Sequence, residues 1–81
     1  MVMSINRFYS TLKTIKIFIQ DHPDVSEELA SSIKKVEQSF RATYTSESFK
    51  EALMANADIP SDLEEEITSA SILYNNEKAR L

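Results

Sequence analysis

Few residues in this 81-residue chain are equipped for chemistry, and their placement narrows what that chemistry would be. His22 is the single histidine, so a histidine-based metal site or a proton relay has one member and no visible second. It lies in Asp21-His22-Pro23-Asp24, where it reads as an exposed residue at a joint. Asp62, Glu64, Glu65 and Glu66 form an acidic cluster that would attract a cation. A calcium loop, however, presents its carboxylates from irregular backbone with a glycine turn, whereas successive helical positions face different directions. Matching to the positive end of a helix accounts for these acids better. The chain contains no cysteine and no glycine. The first absence removes thiol nucleophiles, cysteine zinc sites and disulfides. The second disfavours phosphate-cradling loops and nucleotide-binding fingerprints. No cofactor, metal or small-molecule substrate is expected, and the inventory argues against an enzyme.

Charge points the same way. The net charge of −4 argues against nonspecific nucleic-acid binding, which needs clustered Lys and Arg. A nucleic-acid regulator would have to act through Arg7, Lys13 and Lys16, the basic residues of an opening segment that holds no acid before Asp21. The simpler reading is two solvated faces of opposite charge that attract each other across the fold. That opening segment is amphipathic and contains Ser and Thr, so it also has the composition of a mitochondrial presequence. A cytoplasmic location is the expectation and mitochondrial import the alternative. No apolar run approaches membrane-spanning length, and Met3 is an alternative start to Met1.

The tripeptide His22-Pro23-Asp24 resembles the signature of J-domain co-chaperones, in which it joins two antiparallel helices. The resemblance covers three residues and implies stimulation of a partner chaperone's ATPase. The flanks depart from the family pattern: Asp21 stands where an aromatic or basic residue is usual, and Val25-Ser26-Glu27 replaces a Lys-Asn continuation.

The elements that would position these residues are all helical. Val25, Leu29, Ile33, Val36, Phe40 and Tyr44 recur at steps of three and four, which places them on one stripe of a helix over 24–44. Asp24 and Glu27 have capping-box spacing at its start. Ahead of it, Ser4 is a predicted N-cap for a helix over 4–20, whose seam is Ile5, Phe8, Leu12, Ile15 and Ile19, widened by Tyr9 and Phe18. Thr45-Ser46-Glu47-Ser48 predicts a break and a short helix over 47–56 with Phe49, Ala52 and Leu53 inward, unless the second helix continues straight through. Asn56-Ala57-Asp58-Ile59-Pro60 is the next joint. Ser61-Asp62-Leu63-Glu64 reads as a capping box opening a helix over 61–80. Its seam is Leu63, Ile67, Ala70, Tyr74 and Leu81, interrupted by Glu77. The stretch from Phe49 to Ile67 has helix-turn-helix length, but its second helix would point acid at phosphate.

The expected fold is therefore all-α: a single domain, residues 1–81, built as a small antiparallel helical bundle of three long helices and one short one. Its expected core is Phe8, Leu12, Ile15, Ile19, Leu29, Ile33, Val36, Phe40, Phe49, Leu53, Leu63, Ile67 and Tyr74. The expected function is stoichiometric protein binding, as an acidic adaptor, inhibitor or immunity-type protein whose partner has a basic surface. Ile17 and Ile72 fall outside the apolar stripes, and Met54 suits a contact surface, so these three are the candidate partner-binding residues. The alternative is a self-associating structural protein, a homodimer in which the seams of the first and last helices pair with another copy.

Overall fold

The computed structural model describes residues 2–80 and is all-α. Met1, to which Met3 is the alternative start, and Leu81, the last expected seam residue, lie outside them. Four helices follow in order: α1 (Ile5–Asp21), α2 (Glu27–Thr43), α3 (Ser46–Ala55) and α4 (Ser61–Arg80). The most extensive contact is between α2 and α4, and α1 packs against all three other helices.

The helix boundaries follow local chemistry. Ser4 caps α1 as its sequence position suggests, its hydroxyl accepting the Arg7 N–H at 3.3 Å. The start of α2 differs from expectation. Its cap is Ser26, which accepts the Leu29 N–H at 3.3 Å, and not Asp24. Pro23 and Asp24 are spent in a turn closed by the Val25 N–H on the His22 carbonyl, so the helix opens at Glu27. Tyr44 is extended, which separates α2 from α3. Thr45 and Ser48 then form a reciprocal capping box, each backbone N–H donating to the other's hydroxyl at 2.8 and 3.1 Å. At α4, the Pro60 carbonyl already accepts the Glu64 N–H, so Ser61 is the first helical residue rather than the cap.

In a chain without glycine, Asn56 takes the left-handed conformation that ends α3, at φ 49° and ψ 45°. Its N–H bonds the Leu53 carbonyl at 3.2 Å and the Ala57 N–H bonds that of Ala52 at 3.0 Å, the paired bonds of a Schellman ending. This turn sends residues 57–59 alongside the segment that precedes α1. Ile5 N–H donates to Ala57 O at 2.7 Å and Ile59 N–H to Met3 O at 2.9 Å. The starts of α1 and α4 are thereby tied together.

One core joins Ile5, Phe8, Leu12 and Ile15 of α1 with Leu29, Ile33 and Val36 of α2 and Leu63, Ile67 and Ala70 of α4. Ile59 completes it from the joint, a residue that helical periodicity could not select because it precedes α4. Ile19, Phe40, Phe49, Leu53 and Tyr74, expected in the core, are only half-buried. The helix α3 contributes no fully buried residue. It is too short to reach the centre and lies over one end, where Phe49 meets Tyr9 and Phe40 edge-on at centroid distances of 5.0 and 5.1 Å.

Candidate functional site

The three expected contact residues are all exposed. Ile17 on α1 is 54% exposed, Ile72 on α4 58%, and Met54 on α3 89%. Two of them stand on helices that pack against each other. The α1 residues Ser10, Thr11 and Thr14 line an open groove with Ser71, Tyr74 and Asn75 of α4. Neither isoleucine lines it: Ile17 stands with Asn6, Tyr9, Ser10, Lys13 and Thr14 along another shallow groove of α1, and Ile72 follows Ser71 on the exposed side of α4. The α1–α4 groove encloses about 260 Å³, below the roughly 300–1,000 Å³ of sites that engulf a small molecule. Met54 belongs to a different helix, whose packing on α1 is through Phe49 and Tyr9.

The remaining singled-out residues have structural surroundings. His22 is half-buried rather than exposed, because it ends α1. Its backbone N–H bonds the Phe18 carbonyl at 3.0 Å, its Nδ1 lies 3.0 Å from the same oxygen, and its ring stacks on Phe18 at 4.3 Å. In turn Phe18 packs edge-on against Tyr74 of α4 at 5.1 Å. Of the basic opening segment, Lys16 reaches Glu37 of α2 at 3.3 Å, one instance of opposite charges meeting between helices. The Lys13 ammonium lies over the Tyr9 ring at 5.6 Å. Glu66 is drawn inward to accept the Ser39 hydroxyl at 2.8 and 2.9 Å, whereas Asp62 and Glu65 remain exposed. The acidic cluster therefore does not converge. Among the described residues, no group of three or more His, Cys, Asp or Glu side chains is arranged to hold a metal ion.

Sequence reasoning missed the role of Glu77, which reads as a break in the α4 seam. The residue is only 6% exposed, and its carboxylate accepts the backbone N–H of Ser26, the α2 cap, at 2.9 Å. Arg80 bonds its other oxygen, through Nε at 3.2 Å and through a terminal nitrogen. Hydrogen bonds from the Ser26 hydroxyl, the Arg80 guanidinium and the Ser26 backbone hold the carboxyl at about 2, far below its ordinary 4.5. Glu77 thus supplies from α4 the negative charge that the first turn of α2 favours. No sequence signal links Ser26 to a residue 51 positions away. Partial burial pushes the Tyr44 phenol up from its ordinary value.

No protein-family model matches this chain, and no curated protein and no solved structure matches it either. Among the described residues, no helix is long and apolar enough to cross a membrane.

Proposed function

We propose that this chain is a stoichiometric protein-binding module, an adaptor, inhibitor or immunity-type protein that acts by occupying a partner's surface. On this reading α2 runs antiparallel to α1 and α4 in a bundle working as one cytoplasmic domain. The module has no catalytic role, no cofactor and no nucleic-acid ligand. Support for it comes from one observation: three large apolar side chains, Ile17, Met54 and Ile72, are exposed on helices whose inward faces already close a core. Single exposed apolar residues are ordinary on any protein, so the weight falls on two of them, Ile17 and Ile72, standing exposed on the neighbouring helices α1 and α4. An acidic surface would also steer a basic partner toward the module.

The test is capture from the native source with the purified chain as bait, run beside Met54→Glu and the double variant Ile17→Glu/Ile72→Glu. Recovery of one protein at near-equal stoichiometry by the wild type, and its loss with either variant, is the expected result. Capture that all three baits share equally would sink the assignment of these residues. A mobility shift of nucleic acid at low salt, where electrostatic binding is strongest, would instead favour a regulator acting through Arg7, Lys13 and Lys16.

A further inference from the structure

The expected route to self-association, pairing of the α1 and α4 seams with another copy, is closed. Ile5, Phe8, Leu12 and Ile15, like Leu63, Ile67 and Ala70, are consumed by the molecule's own core. The outer faces of the same two helices remain open, and they carry opposite charge. On α1, Arg7, Ser10, Thr14 and Ile17 are exposed; on α4, Glu65, Thr68 and Ile72 are exposed, with Glu64 half-buried beside them. Among the described residues, Arg7, Glu64 and Glu65 join no ion pair.

Register matters here. The Ile59–Met3 bond ties the two helix starts, and the Phe18–Tyr74 contact ties the two helices nearer their ends. So α1 and α4 run side by side in one direction, with Arg7 near the level of Glu64 and Ile17 near that of Ile72. The groove between them is lined by small polar side chains, Ser10, Thr14 and Ser71 among them, which let a second helical surface come close.

We propose that this face pairs with a second copy of the chain about a twofold axis running along the α1–α4 groove. Such an axis lays α1 of each copy over α4 of the other, in the same direction. Arg7 then faces Glu64 and Glu65 of the second copy, Ile17 faces its Ile72, and symmetry makes each contact twice. The charges choose the occupant. A uniformly acidic face would accept any basic partner, whereas a face basic on one helix and acidic on the next complements itself. The proposal rests on the reading of Ile17 and Ile72 as a contact patch and names what that patch binds.

Sedimentation velocity over a concentration series tests it, with wild type, Arg7→Glu and Glu64→Lys/Glu65→Lys measured alone and mixed, and with circular dichroism verifying that each variant folds. The wild type should dimerise. Each variant alone should dissociate about tenfold more readily or worse, because two equivalent exposed ion pairs, each worth up to a few-fold in affinity, become repulsive. An equimolar mixture of the two variants should recover the wild-type affinity, since both contacts are then complementary again. Because the chain has no cysteine, Ile17→Cys and Ile72→Cys copies mixed under oxidation should cross-link to each other rather than to themselves. A wild type that stays monomeric throughout overturns the proposal, as does a dimer indifferent to both charge reversals or a mixture that fails to recover. A monomeric wild type whose capture of a different protein is lost with Ile17→Glu/Ile72→Glu would overturn the second copy alone and leave the binding module standing.

Discussion

Replacing Asn56 probes how a chain without glycine turns the corner between α3 and α4. The residue sits at φ 49°, where a side chain with a Cβ crowds the backbone. For an ordinary L-residue this conformation costs about 1–2 kcal/mol, and asparagine is among the few that tolerate it. Its side chain contributes too: Asn6 Nδ2 donates to Asn56 Oδ1 at 2.6 Å and approaches the Leu53 carbonyl at 3.4 Å. Because Asn6 and Asn56 are exposed, that bond should be worth about 0.5 kcal/mol, the low end for a net hydrogen bond. Asn56→Ala loses both contributions, a destabilisation of about 1.5–2.5 kcal/mol. Asn56→Gly keeps the turn, loses the bond and gains about 0.4–1 kcal/mol of unfolded-state entropy, so it should cost roughly 1 kcal/mol. Urea denaturation followed by far-ultraviolet circular dichroism resolves the gap. In thermal melts each kcal/mol should appear as about 4–8 °C at this size. Asn6→Ala provides the internal control: it should cost as much as the bond in the wild type and nothing further in Asn56→Gly. An alanine variant as stable as the glycine variant would refute the reasoning, because backbone conformation would then not be what Asn56 supplies.

Two further outcomes follow from burial and charge. Glu77 has its folded pKa depressed from 4.5 to about 2, so the stability it confers is complete above about pH 4.5 and is lost as pH falls toward 2. Denaturation midpoints from pH 7 down to 2 should show Glu77→Gln less stable than wild type at neutrality, with the two curves converging in acid. Curves that stay parallel would mean the carboxylate is not what ties α4 to the α2 cap. On α4, Ile67 is fully buried and Ile72 is 58% exposed. Ile67→Ala should therefore cost about 2–5 kcal/mol, through lost burial and the cavity left behind. Ile72→Ala, measured in dilute protein, should stay within about 0.5 kcal/mol of wild type. Equal losses at the two positions would contradict the orientation of the helix.

Local chemistry decided a good deal of this protein from the sequence alone. The step-of-three-and-four stripes of α1 and α2 defined helices and their inward faces because a helix repeats every 3.6 residues whatever surrounds it. Ser4 declared itself as a cap because capping involves atoms three residues apart. The off-stripe positions of Ile17 and Ile72 foretold their exposure for the same reason of period. Local spacing also misled. Asp24 has capping-box spacing, but the turn through Pro23 and the Glu77 carboxylate on the Ser26 N–H move the cap of α2 to Ser26.

Only tertiary structure decided what depends on partners distant in the chain. Ile59 is buried because the backbone around it bonds to the segment before α1. Phe49 and Leu53 stay half-buried because α3 covers an end of the fold instead of entering it. Glu77, an apparent interruption of an apolar seam, is placed by an N–H on another helix. The pairing of α1 with α4 in a common direction, which brings Arg7 level with Glu64 and Ile17 level with Ile72, belongs to this second class. Periodicity specifies which way a side chain faces from its own helix; the neighbour it faces is set by how whole helices pack.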